Sequence, residues 1–127
     1  MTSPTLLITD DDAGFRETMQ QVFEPEGYRT VLAENGQEAL NIVLALPIHL
    51  VLIDMHMPVM NGVETIRQAK KHRPELPFIL LSAALDELVI KEACEVYAYS
   101  VLSKPCSKKQ ITSLVRDAIS ATFAAPH

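Results

Sequence analysis

Residues 49–62 read HLVLIDMHMPVMNG. The run HLVLID, residues 49–54, is apolar almost throughout and ends on a single acid, Asp54. A segment that short and that uniformly apolar belongs to a strand covered on both faces, because a half-exposed strand alternates. Beyond it Asn61-Gly62 introduces a helix, with Val63, Ile66 and Ala69 following at helical spacing. The stretch therefore predicts a buried strand, an acid at its end, a loop and a helix.

The same unit recurs on either side. TLLIT (5–9), YRTVLA (28–33), PFILLS (77–82) and YSVLS (99–103) complete a set of five apolar runs. Segments of helical period lie between them: Phe15, Met19, Val22 and Phe23 in the first, and Leu40, Val43 and Leu44 in the second. Leu85, Leu88, Val89, Ala93 and Val96 mark the fourth helix, and Ile111, Leu114, Val115, Ala118 and Ile119 the last. Pro25 and Gly27 close the first helix, Asn35-Gly36 opens the second, Pro47 stops it, and Pro74 and Pro77 end the third.

Such regular alternation means a parallel sheet with helices on both faces. The first, third and fourth runs are continuously apolar, as interior strands are, whereas Arg29, Thr30, Ser100 and Ser103 give the second and fifth the look of edges. The expected fold is α/β, a doubly wound five-stranded parallel sheet in the order 2-1-3-4-5. Residues 1–127 are expected to form a single domain, its core spanning about 4–123.

Composition narrows the classes of function. Hydrophobic residues make up 48% and charged ones 21%, the balance of an ordinary globular chain. A formal charge of −5 disfavours direct, sequence-independent binding to nucleic acid. The basic cluster AKKHR (69–73) falls at a helix end, where it complements the helix dipole. Cys94 and Cys106 have no metal-ligand spacing, which suggests a reduced, intracellular protein. No apolar stretch has membrane-span length and the N-terminus lacks a signal-peptide pattern, so the expectation is cytoplasmic, with no membrane partner.

In a sheet of this order, ligands bind beyond the carboxyl ends of the strands, where the order reverses. The first run ends in Asp10, Asp11 and Asp12, the third in Asp54, the fourth in Ser82, and Lys104 follows the fifth. Crowded carboxylates repel one another unless a cation sits among them, and a hard divalent ion such as Mg2+ takes oxygen ligands. With a metal present, Asp54 is placed to act as a nucleophile on phosphorus, Ser82 to donate a hydrogen bond to a phosphoryl oxygen, and Lys104 to set a charge on another. Taken singly, each feature has a plainer reading. Asp10–Asp12 suit a turn and helix cap, Asp54 a turn, Ser82 a strand-end hydroxyl, and Lys104 an edge protector. Their joint placement is what points to an acyl-phosphate site.

At these residues the chain resembles the receiver domain of bacterial two-component response regulators over essentially its whole length. The carrying motifs are LLITDDD, LVLIDMHMPVMNG, ILLSA and LSKP, of which the Asp54–Gly62 stretch is the most specific. The resemblance implies the flavodoxin-like (βα)5 fold, with Asp54 as phosphoacceptor. It makes Asp11 a direct ligand of Mg2+ (or Mn2+), with Asp10 reaching the metal directly or through water and the His56 backbone carbonyl as a further ligand. Ser82 and Lys104 then contact the phosphoryl group, and the Lys104-Pro105 bond is expected to be cis. The implied donor is a phosphohistidine on a sensor histidine kinase or histidine phosphotransfer protein, with small phosphodonors as substitutes. The domain promotes its own phosphorylation and dephosphorylation and is not otherwise an enzyme. The implied switch shifts the face of the fourth helix, fifth strand and fifth helix, where an unknown output protein or a homodimer partner is to be sought.

Three positions depart from the family pattern. Val101 stands where the family carries a switch Tyr or Phe, and Tyr99, two residues earlier on the same side of the strand, is the candidate substitute. Tyr97 occupies a position commonly Gly, which predicts a different turn or strain. His56 projects beside the site at a position that, by the resemblance, tunes how water approaches the phosphoryl group, and its plainer reading is a tolerated surface histidine; no chemistry is assigned to Cys106.

Rival readings are weaker. A haloacid-dehalogenase-like phosphatase expects Thr or Val where Gly14 stands and an acidic pair where SAALDE follows the fourth run. A flavin mononucleotide site would place phosphate against three carboxylates. The surviving alternative is a receiver-like interaction module that is not phosphorylated, kept open by Val101. The tail after Phe123, AAPH, is too short for an output segment, so output is expected through protein contact or a part outside this sequence.

Overall fold

The computed structural model describes residues 3–123. Five strands alternate with five helices: β1 (Thr5–Thr9), α1 (Ala13–Phe23), β2 (Arg29–Ala33), α2 (Gly36–Ala45), β3 (Leu50–Asp54), α3 (Gly62–Lys70), β4 (Phe78–Ser82), α4 (Glu87–Glu95), β5 (Ser100–Ser103) and α5 (Lys108–Phe123). The strands form one sheet in the order β2-β1-β3-β4-β5, every pairing parallel. β3 and β4 are buried at all five positions, whereas β5 is half-buried, as the apolar and mixed runs predict.

Alternation along the strands divides the core into two layers. Leu7, Val51, Ile53 and Leu80 pack with Val43 of α2, Ile66 of α3 and Val89 of α4. Leu6, Ile8, Leu50, Leu52, Ile79 and Leu81 face the other way, against Met19 and Phe23 of α1 and Ile111 and Val115 of α5. Complete burial of a side chain such as Phe23 contributes about 2–3 kcal/mol.

The helices start where their caps dictate. Asn35, Asn61 and Asp86 accept the amides of Glu38, Glu64 and Val89 at 2.8–2.9 Å, which opens α2, α3 and α4. Ser107 and Gln110 bond each other's backbone amides at 3.0 Å, a capping box that starts α5.

Two details of the periodicity need correction. Because Asp86 is the cap, Leu85 lies outside α4, and Leu88 points outward at 62% exposure; Val89, Ala93 and Val96 are the buried positions. In α2 the buried face is Ala39 and Val43, with Leu44 mostly exposed. Tyr97 adopts a left-handed backbone with φ of 58°, in line with the strain expected where glycine is missing.

Candidate functional site

The sheet's two-residue period sorts the functional side chains before any tertiary contact is considered. Asp10 continues the parity of Leu6 and Ile8, Asp54 that of Leu50 and Leu52, and Lys104 that of Leu102, so all three belong to the α1–α5 side. Ser82 continues the parity of Phe78 and Leu80 and belongs to the opposite side. The hydrogen bonds follow this division.

Asp10 extends the β1–β2 ladder, donating its N–H to the Ala33 carbonyl at 3.1 Å. Asp12 caps α1, its Oδ1 accepting the Gly14 and Phe15 amides at 2.9 and 3.3 Å. That leaves Asp10 and Asp11 to join Asp54, one carboxylate oxygen of each lying within 4.8 Å of the others. Asp10 and Asp54 are buried at 1% and 6% exposure, while Asp11 is open to solvent. The donor set is hard oxygen with one exposed member, which suits Mg2+ or Mn2+. Among the described residues no backbone N–H donates to the His56 carbonyl, so that oxygen is free of the ladder.

Lys104 is placed by the Lys104 N–H bond to the Ser82 carbonyl, 2.9 Å, and it precedes a cis Lys104-Pro105 bond. Its ammonium donates to Asp10 Oδ2 at 2.7 Å and to Asp54 Oδ1 at 3.5 Å. The same Nζ stands 4.2 Å from the centre of the Phe15 ring, a cation–π contact. Arg16 of α1 donates to the Asp10 carbonyl at 2.6 Å, fixing the strand end from the outside. A cleft of about 540 Å³ opens beside Lys104, lined by Phe15, Met19, Pro105 and Cys106 among others.

One lysine does not neutralise three acids. Burial pushes the Asp54 carboxyl up from its ordinary value, Asp10 and Asp11 push it further, and Lys104 only partly opposes them. Burial lowers the Lys104 ammonium, but its bond to Asp10 and the charges of Asp54 and Asp10 outweigh that, and its pKa ends above the ordinary value. A buried carboxylate held against repulsion, with a shared ammonium at its side, is equipped to accept an electrophile together with a cation. Burial also raises the Cys106 thiol, which keeps it protonated and unreactive.

Ser82 is fully buried and turned away from this group. Its Oγ accepts the Ala84 N–H at 3.2 Å and lies 3.3 Å from His56 Nε2; among the described residues it makes no hydrogen bond to Asp54 or Lys104. Val101 is half-buried against the α2–α4 layer, and Tyr99, 41% exposed, extends the β4–β5 pairing through its N–H to the Phe78 carbonyl at 2.8 Å. The structure thus brings together Asp10, Asp11, Asp54 and Lys104, and pairs Ser82 with His56.

Sequence reasoning did not foresee the Phe15 ring under Lys104, the Arg16 anchor or the His56–Ser82 contact. Phe15 carried a signal only as part of an apolar helix face, and pairing across 26 positions leaves no local trace. The β3–α3 loop holds a further surprise: Val59, fully exposed, has φ of 70°, strained for a β-branched residue.

A model of the response regulator receiver domain family matches residues 6–116. Sporulation initiation phosphotransferase F of Bacillus subtilis is 34% identical over 116 residues, covering 91% of this chain and 94% of that protein. Response regulator RR06 of Streptococcus pneumoniae is 35% identical over 116 residues, 87% of this chain, which spans about half (52%) of RR06. Among solved structures, a CheY-like receiver domain protein from Methanospirillum hungatei superposes with a TM-score of 0.92, covering 95% of this chain and 97% of its own, at 23% identity.

Proposed function

The chain belongs to the response regulator receiver family, and on that premise we propose that Asp54 is its phosphoacceptor, within one receiver domain whose core spans about residues 4–123. The observation that carries this is the buried Asp54 carboxylate, 3.5 Å from the Lys104 ammonium and clustered with Asp10 and Asp11.

In the proposed reaction an Asp54 oxygen attacks phosphorus, and the P–N bond of a donor phosphohistidine breaks, its electron pair returning to the imidazole. The donor ring belongs to a sensor histidine kinase or a histidine phosphotransfer protein. The apolar cleft formed by Phe15, Met19 and Pro105 lies beside Lys104 and suits the seating of such a partner. Asp10, Asp11 and the His56 carbonyl are the residues that would hold Mg2+ or Mn2+, an ion that supplies charge neutralisation of the phosphoryl oxygens. Lys104 gives up part of its hold on Asp10 to meet a phosphoryl oxygen, and Ser82 donates its hydroxyl hydrogen to another. Water later attacks the same phosphorus, releasing phosphate and restoring Asp54.

We read the chain as a signalling domain of the cytoplasm that turns over only its own phosphoryl group. No described helix is long and apolar enough to cross a membrane. Output passes by protein contact through the face of α4, β5 and α5, to an unknown partner or a second copy, and Leu88, Tyr97 and Tyr99 stand exposed on its α4 and β5 part. Intact mass after incubation with acetyl phosphate tests the chemistry. A gain of one phosphoryl group with Mg2+, lost without it and in Asp54→Ala, is expected; no gain in any arm, with a histidine phosphodonor included, favours an unphosphorylated interaction module.

A further inference from the structure

The Ser82 hydroxyl carries a single hydrogen, and its surroundings decide where that hydrogen goes. The Ala84 N–H already donates into Oγ at 3.2 Å, so this neighbour offers no acceptor. Ser82 is fully buried, and a buried hydroxyl hydrogen left without an acceptor is costly. Among the described residues, the acceptor within reach is His56 Nε2 at 3.3 Å. A hydrogen bond from the Ser82 hydroxyl to Nε2 selects the His56 tautomer that carries its hydrogen on Nδ1.

We propose that His56 is the resting-state partner of Ser82, and that a phosphoryl group on Asp54 must take the Ser82 hydroxyl away from it. The inference rests on the reading of Asp54 as phosphoacceptor. The same hydrogen cannot serve both acceptors, so the His56 bond opposes phosphorylation, and by linkage phosphorylation releases His56. What is released is the β3–α3 loop, which joins β3 to α3 and carries the strained, fully exposed Val59 three residues on. Val101 offers no aromatic side chain to follow Ser82 inward, so the His56 loop is a second place at which the hydroxyl's movement is read. His56 is a positioning residue here: its imidazole acts on the phosphoryl group through Ser82, and its backbone carbonyl is untouched by side-chain substitution.

Beryllofluoride with Mg2+, a non-covalent stand-in for the phosphoryl group, tests this by NMR titration of wild type, His56→Phe and Asp54→Ala. His56→Phe keeps a ring of similar size and removes the acceptor. The expected results are binding to His56→Phe about threefold to tenfold tighter than to wild type, the worth of one neutral hydrogen bond. In wild type already loaded with Mg2+, the His56 Nε2 resonance should shift on adding beryllofluoride in the direction that loss of a hydrogen-bond donor gives, the change that release from Ser82 requires. Equal affinities with an unmoved Nε2 resonance overturn the competition while leaving Asp54 as phosphoacceptor intact. Absence of any binding to wild type, or binding unchanged in Asp54→Ala, overturns the phosphoacceptor reading itself.

Discussion

The acidic rim gathers at the carboxyl ends of the strands, whereas Tyr97 and Tyr99 of the α4–β5 face stand at the opposite end, where β5 begins, and the two regions are held by opposite means. At the rim, Asp10 is 1% exposed, its carboxylate receives both the Asp12 amide and the Lys104 ammonium, and Arg16 grips its carbonyl. Asp10 and Asp54 thus share the Lys104 ammonium from another strand end, which holds these two carboxylates in place, while Asp11 stays open to solvent. On that face Tyr97 sits strained and 79% exposed, Leu88 points outward, and β5 is half-buried at Ser100–Leu102 and exposed at Ser103. The rim holds like charges together inside a buried frame; the face buries Val89, Ala93 and Val96 but leaves Leu88 and Tyr97 to solvent. Under the proposed function the chemistry belongs to the first and partner contact to the second.

The contrast breaks most sharply at Gly62. A Cβ there would come within 2.6 Å of both the Asp54 carbonyl oxygen and Leu80 Cδ1, where α3 closes onto the end of β3. Gly62→Ala is expected to cost about 3 kcal/mol in urea unfolding and to impair phosphoryl uptake with it. Lys104→Met comes next. It leaves the Asp10 and Asp54 carboxylates without their cation, for a loss of about 2 kcal/mol without Mg2+ and labelling by acetyl phosphate slowed about tenfold or more.

Asp54→Asn should act in the opposite direction. The Asp54 carboxyl, raised by burial and by Asp10, binds more protons in the folded than in the unfolded chain between its ordinary value of 3.8 and its raised one. Folding stability therefore falls as pH rises through that window, and the deficit persists above it. The Asn variant removes the deficit, so at neutral pH without Mg2+ it should unfold about 1–2 kcal/mol later than wild type. Its advantage should shrink as pH falls below the window or as Mg2+ is added. Thermal scans at several pH values check both signs.

The smallest effect belongs to the face. Tyr97→Gly relieves a left-handed tyrosine that makes little buried contact and is expected to gain about 1 kcal/mol, with phosphoryl uptake unchanged. A change in uptake would show that the face is coupled to the rim in the resting chain.

What could be read from the sequence follows from how local each signal is. Strand order emerged because burial on two faces writes an unbroken apolar run and burial on one writes a mixed one, as Leu50–Ile53 and Ser100–Ser103 show. Asp10, Asp11, Asp54, Ser82 and Lys104 stood out because strand ends place them, and strand ends are local. Leu85 and Leu88 misled because an apolar residue at helical spacing does not say which side faces the sheet; the Asp86 cap decided it. The His56–Ser82 bond, the Phe15 ring under Lys104 and the strain at Val59 depend on how loops from separate strands meet, and no window of sequence contains that.

The central claim concerns one carboxylate, so the direct measurement locates the acyl phosphate chemically. Protein labelled with acetyl phosphate and Mg2+ is reduced with borohydride, which converts an aspartyl phosphate to homoserine, and peptides are then mapped by tandem mass spectrometry. Homoserine at position 54 alone is the predicted result. Homoserine at position 10 or 11, or a fully labelled protein with none at position 54, would contradict it.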